Sequence, residues 1–173
     1  MTLRFYLVET KLGWIGLVIS PRGLRATTLP RPSRDDALRE VVELGAAEPA
    51  SAAEAGNIAR RVQALAEGEP AAPSTGSGQA LAPLIDWNGV TGFRRAVLEE
   101  ALRIPRGETR TYGWLAEKVG RPRAARAVGR VMATNPLPIV VPCHRVIGSD
   151  GSLRGYGAGL PMKAALLRAE GAR

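Results

Sequence analysis

The chain has 173 residues but one cysteine and one histidine. A single thiol excludes an intramolecular disulfide, and a free thiol fits a reducing interior, which predicts an intracellular protein. Residues 1–87 hold neither Cys nor His, so no zinc site of those ligands is expected there. No apolar run approaches the length of a membrane span. The opening MTLRFYLVET lacks a basic segment followed by a long apolar one, which predicts no signal peptide. The G-x-x-x-x-G-K-[ST] phosphate loop and the dinucleotide fingerprint are both missing, no internal repeat is visible, and no cofactor is expected.

What the chain does carry is positive charge, and it is unevenly placed. The formal net charge is +8. Residues 1–87 contain 9 Lys and Arg against 10 Asp and Glu, while residues 88–173 contain 15 against 6. All the excess lies in the half that also holds Cys143 and His144. Such asymmetry points to a polyanionic partner, with a solvated basic face as the alternative.

The length suits one domain or two small ones. LRFYLVET, WIGLVIS and LRATTLP predict three short strands, turned by KLG and SPRG into an antiparallel meander. SRDDALREVVELGA predicts a helix capped by Ser33. NIARRVQALAEG predicts a second, capped by Asn57 and stopped by Gly68. EPAAPSTGSGQALAP reads as a mobile loop and PLIDW as a further short strand. The second half reads as mostly helical. TGFRRAVLEEALRIP has a helical apolar period, and TYGWLAEKVG has Thr111 as cap and Gly120 as stop. RPRAARAVGRVMATN places Pro122 at a first helical position, and PMKAALLRAEG closes the chain. The fold class expected is α+β: a small N-terminal unit with an antiparallel sheet and helices, then a mostly helical unit with a helix-turn-helix. That last pattern is one that many all-helical cores share.

Two features point to chemistry. In PIVVPCHRVIGSDG the only thiol stands beside the only imidazole. A buried core cysteine is the plain reading, but a neighbouring His or Arg lowers a thiol pKa, and His144 and Arg145 follow directly. In a regular strand adjacent side chains point to opposite faces, so direct contact needs a turn at Pro142-Cys143 or a water between the groups. Glu170, near the end of the last helix, is a candidate to orient His144; an exposed helix-terminal acid is the alternative. The second feature is an arginine stripe. At 100° per residue Arg123, Arg126 and Arg130 share a face, opposite Ala125, Val128 and Met132. Small neighbours, Ala124, Ala127 and Gly129, let that helix approach a surface closely, as in a DNA minor groove. A solvated helix face is again the alternative.

The stretch from Gly92 to Gly171, above all NPLPIVVPCHRVIG, strongly resembles the catalytic domain of the O6-alkylguanine-DNA alkyltransferases. The resemblance implies a ribonuclease H-like N-terminal domain over 1–88 and, over 89–173, a winged-helix-like DNA-binding and alkyl-acceptor domain. It implies Cys143 as alkyl acceptor, His144 as its base through a water, and Glu170 as the acid that orients His144. It further implies Asn135 as the link between DNA-binding helix and active-site turn, and Tyr112 as donor to guanine O6. Arg126 would fill the gap left by an extruded base, with Arg123, Arg130, Ala125, Ala127 and Gly129 at the DNA surface. Tyr156, Gly157, Val146 and Arg154 would form the substrate pocket. Arg154 and Ala158 depart from the family pattern, where smaller residues are usual. The implied function is single-turnover repair of O6-alkylguanine, and of O4-alkylthymine, in double-stranded DNA. The implied protein is monomeric, cytoplasmic or with the DNA, and free of metal, with cooperation along DNA left open. Two other classes compete: a module that binds alkylated bases without repairing them, for which Cys143 is unnecessary, and a cysteine hydrolase, which usually keeps its His far from its Cys in sequence.

Overall fold

The structure is a computed structural model that describes residues 2–69 and 78–172. Strands β1 (Leu3–Thr10), β2 (Gly13–Ser20) and β3 (Gly23–Thr27) form the expected antiparallel meander. Period-two alternation divides the side chains of β1 and β2, and an irregularity in the β2–β3 pairing at Val18/Ile19 places Leu24 and Ala26 on opposite faces. Val8, Ile15, Leu17, Ile19 and Leu24 enter the main core, while Val18 and Ala26 join a smaller cluster with Val41 and Ala46. A fourth strand, β4 (Ala46–Pro49), adds parallel to β1 and gives the order β3-β2-β1-β4. Its sequence, AAEP, has no β-branched or aromatic residue, so no strand propensity announced it.

Helix α1 (Arg34–Glu43) starts where expected: Ser33 Oγ accepts from Asp36 N at 3.1 Å. Helix α2 (Ala52–Ala66) starts earlier than expected. Its cap is Ser51, not Asn57: Ser51 Oγ accepts from Glu54 N, and Ser51 N donates to Glu54 Oε2 at 2.9 Å. Asn57 lies inside the helix, where its Oδ1 accepts from Arg61 Nε. Gly68 ends this helix at φ +76°, and a Cβ there would stand 2.3 Å from Ala169 O, so glycine also lets the turn press against the end of the chain.

The Pro/Gly/Ser-rich segment read as a loop lies partly outside the described residues, and its last part falls in a 3-10 helix, Gly78–Leu84. PLIDW does not form a strand. It makes one parallel bridge, Leu24 to Ile85, because the 3-10 helix runs through Pro83 and Asp86 then turns inward to accept from Ser20 Oγ at 2.7 Å.

The second half packs helices α3 (Gly92–Ala101), α4 (Tyr112–Lys118), α5 (Ala125–Ala133) and α6 (Gly159–Ala169). Thr111 caps α4 as expected, its Oγ1 accepting from Trp114 N at 3.0 Å. Pro122 does not open α5. The turn closed by Ala124 N donating to Arg121 O comes first, so Pro122 and Arg123 stay ahead of the helix. Two short strands, β5 (Arg110–Thr111) and β6 (Val146–Ile147), pair in parallel. The main core is continuous: Leu17 of the sheet, Val62 of α2, Leu98 of α3, Leu115 of α4 and Val128 of α5 all belong to it. The architecture is thus α+β. Among the described residues no helix is long and apolar enough to cross a membrane.

Candidate active site

The site is built from the segment between α5 and β6. Asn135 clamps this segment: its Nδ2 donates to Val141 O at 2.9 Å, and its Oδ1 accepts from Leu137 N at 3.0 Å. Ile139, at φ +73°, carries the chain through a left-handed bend that few side chains adopt. The apolar run before the cysteine is therefore a turn, not a strand. Cys143–Arg145 form one 3-10 turn after Pro142, with Arg145 N donating to Pro142 O at 2.9 Å. The chain thus turns at Pro142-Cys143, yet His144 bonds to Glu170 and not to the thiol.

Behind Cys143 lies a buried polar cluster. His144 and Arg145 are each 1 % exposed. His144 Nε2 stands 2.9 Å from Glu170 Oε1. Arg145 grips the same carboxylate twice, Nε to Oε2 at 2.8 Å and Nη2 to Oε1 at 2.7 Å, and donates Nη1 to Ile104 O at 2.6 Å. Arg145 is therefore committed to Glu170. Burial alone would raise the Glu170 pKa, but the hydrogen bonds from His144 and Arg145 overcome it and hold the carboxyl at about 2. Burial pushes the His144 pKa down, against the pull of Glu170. A neutral imidazole facing an ionised carboxylate carries its proton on Nε2. That leaves Nδ1, buried and without a hydrogen-bond partner among the described residues, as a free lone pair.

Burial also raises the Cys143 thiol; a hydrogen bond with Asn135 and the charge of Lys163 oppose that rise. Lys163, wholly buried, donates Nζ to Val146 O at 2.6 Å and to Arg154 O at 3.2 Å. Sequence reasoning missed it, although its helical spacing from Leu166, Leu167 and Glu170 marks it as facing inward.

Cys143 opens onto a cavity of about 900 Å³. Tyr112, Asn135, Tyr156, Gly157 and Arg154 line it, as do Ala125, Arg126 and Gly129 from α5. The structure thus brings most of the expected site residues to one place. The exceptions are specific. Val146 is buried in the core, with only its carbonyl turned toward Lys163. Ala127, Arg123 and Arg130 do not line the cavity; Arg123 and Arg130 are exposed. Ala125, expected on the packing face, is half-exposed on the cavity wall, and Val131 packs with Val128 and Met132 instead. Arg154 leans on Asp150, Nη2 to Oδ2 at 2.8 Å. The Tyr156 hydroxyl is buried without a hydrogen-bond partner among the described residues. Burial first, then the nearby thiol, push its pKa well above the ordinary phenol value. Burial likewise raises Tyr112, so both remain proton donors at neutral pH. Among the described residues no three His, Cys, Asp or Glu side chains converge as a metal site.

Comparison with known proteins gives a consistent set of likenesses. The family model described as 6-O-methylguanine DNA methyltransferase, DNA binding domain, matches residues 92–172. The methylated-DNA–protein-cysteine methyltransferase of Mycobacterium bovis is 53 % identical over 83 residues, 48 % of this chain and 50 % of that protein. The chain thus spans about half the length of the curated relatives it matches. The crystal structure of Mycobacterium tuberculosis O6-methylguanine methyltransferase is similar over 99 % of this chain and 94 % of its own, at 32 % identity and a TM-score of 0.74. The crystal structure of Mycobacterium tuberculosis OGT in complex with DNA is similar over 98 % and 93 %, at 32 % identity and a TM-score of 0.75.

Proposed function

The chain belongs to the O6-methylguanine-DNA methyltransferase family, and from that premise we propose that it repairs O6-alkylguanine in double-stranded DNA by moving the alkyl group to its own Cys143. The observation that carries the proposal is a thiol on the wall of a large cavity, backed by the buried chain His144–Glu170–Arg145. Nδ1 of His144, through a water, takes the thiol proton. The thiolate sulfur attacks the alkyl carbon; the S–C bond forms as the C–O6 bond breaks, and the electron pair leaves with the guanine. Tyr112, held as a phenol, supplies a proton to the departing O6. Glu170 keeps His144 in the tautomer that accepts a proton, and Arg145 keeps Glu170 ionised. The thioether has no second cysteine to resolve it, so each molecule acts once.

A target base inside the duplex must leave the stack to reach Cys143. We assign that step to the helix-turn-helix formed by α4 and α5, with Arg126 filling the space the base leaves and α5 lying in the minor groove. O4-alkylthymine fits the same chemistry. In this reading residues 89–173 act as the DNA-binding and acceptor domain, residues 1–88 form a ribonuclease H-like domain that shares its core, and the protein works as a monomer where the DNA is. Intact mass spectrometry tests the reaction. Mixing with a duplex containing O6-methylguanine should add one methyl group, mapped to the Cys143 peptide. Cys143→Ala should bind the same duplex and gain nothing. Methyl transfer by Cys143→Ala at the wild-type rate would sink the mechanism; lesion binding without mass gain by the wild type would favour a pure binding module.

A further inference from the structure

Of the described residues that line the Cys143 cavity, Leu29 alone comes from the N-terminal half of the chain. Its backbone is fastened on both sides. Thr27 N donates to Pro136 O at 2.9 Å and Thr27 Oγ1 to Pro138 O at 2.7 Å, tying the end of β3 to the turn that carries Cys143. Thr28 N donates to Gly16 O, and Arg31 N to Trp14 O, each at 2.8 Å, tying the same segment to β2. Leu29 is thus held in place by its neighbours while its own side chain, half-buried, belongs to neither apolar cluster. That side chain is presented to the cavity.

Across from it stands Gly157. A Cβ built at Gly157 would lie 2.9 Å from Leu29 Cδ1 and, its own chain neighbours aside, within 4 Å of no other atom of the described residues. Leucine and bare backbone meet so closely that one more methyl would have to push the end of the Leu29 side chain aside. Two groups that bring no polar side chain to the contact discriminate chiefly by volume. We propose that Leu29 is a specificity-determining residue, whose side chain, closing against Gly157, limits the size of the alkyl group delivered to Cys143. The inference rests on the alkyl-transfer reading above.

The test compares single-turnover alkylation of Cys143 by duplexes carrying O6-methylguanine and O6-benzylguanine. Leu29→Ala should raise the benzyl-to-methyl rate ratio about tenfold, and Leu29→Phe should lower it by a similar factor, the scale that a few methylenes set in an apolar pocket. Gly157→Ala should lower the ratio in the wild-type background and cease to do so when combined with Leu29→Ala, because the added Cβ meets only the group that has been removed. A leucine with a purely structural role would show no such coupling. Ratios within twofold of wild type in all variants, or a Gly157→Ala effect independent of residue 29, would overturn the role of Leu29. Absence of methyl transfer by the wild-type protein would overturn the proposed function itself, and this inference with it.

Discussion

At the scale of single residues, the site turns on how one carboxylate is shared. Glu170 serves both His144 and Arg145 from a position 7 % exposed, which is tolerable only because every charge there is met by hydrogen bonds. The Cys–His adjacency was legible because each residue occurs once. The target of Arg145 was not, because sequence proximity to the thiol suggested a direct effect on it, whereas the 3-10 turn aims the guanidinium at Glu170. The pH consequence follows from the depressed Glu170 pKa. Held at about 2 against an ordinary 4.5, the ionised carboxylate contributes stability that is complete above pH 4.5 and fades as pH falls through the folded value. A shift of that size corresponds to about 3 kcal/mol. Glu170→Gln should therefore be destabilised most above pH 5, with the gap to wild type closing toward pH 2. Urea unfolding across that range measures it, and a gap independent of pH would show that the carboxylate charge is not the stabilising element. The same variant should need a higher pH to alkylate Cys143 with a small reagent, since an uncharged partner makes His144 a weaker base.

At the scale of elements, Ser and Thr caps marked helix starts, while the expected Asn57 cap and Pro122 start failed and strand propensity missed β4. Ser33 and Thr111 act as their side chains dictate. Ser51 and Glu54 spell a capping box that apolar periodicity obscured, because the early buried position of α2 is Ala55 and the first large apolar residue is Ile58. β4 could not be read at all, since main-chain pairing to β1 holds it. Helix α5 is the element on which the proposed function depends most. Its apolar side, Val128, Val131 and Met132, is buried, and Arg126 is exposed at the mouth of the cavity. Loss of Arg126 should therefore leave the core intact. If it fills the space of an extruded base, Arg126→Ala should slow repair in duplex DNA at least tenfold, extrusion costing a few kcal/mol. Reaction with free O6-alkylguanine, which needs no extrusion, should be far less affected. Equal slowing on both substrates would move Arg126 into the chemistry or the fold, and no slowing on either would leave it a solvated side chain.

At the scale of the whole molecule, charge and core divide the labour between the halves of the chain. The core runs through both, and Thr27 ties the sheet to the turn at Pro136 and Pro138, so the N-terminal half braces the segment that carries Cys143 rather than standing apart. The excess positive charge stays in the second half. Five of the thirteen arginines there pair with carboxylates: Arg95 with Glu99, Arg103 with Glu100, Arg110 with Glu108, Arg145 with Glu170 and Arg154 with Asp150. Among the described residues no carboxylate pairs with Arg123, Arg126 or Arg130; all three are exposed, and Arg126 lines the cavity. Unneutralised, exposed guanidinium groups are suited to phosphates, and each phosphate they meet releases counterions. Affinity for duplex DNA should then fall with salt, with a log–log slope of about −3 if each arginine meets one phosphate. Arg130→Ala and Arg123→Ala should each shallow that slope by about one and weaken binding evenly across sequences, since backbone contacts carry no base information. Titrations between 50 and 200 mM salt read both quantities. A slope unchanged by either substitution would mean that the exposed arginines do not touch the backbone, and that the positive half of the chain is a solvated surface.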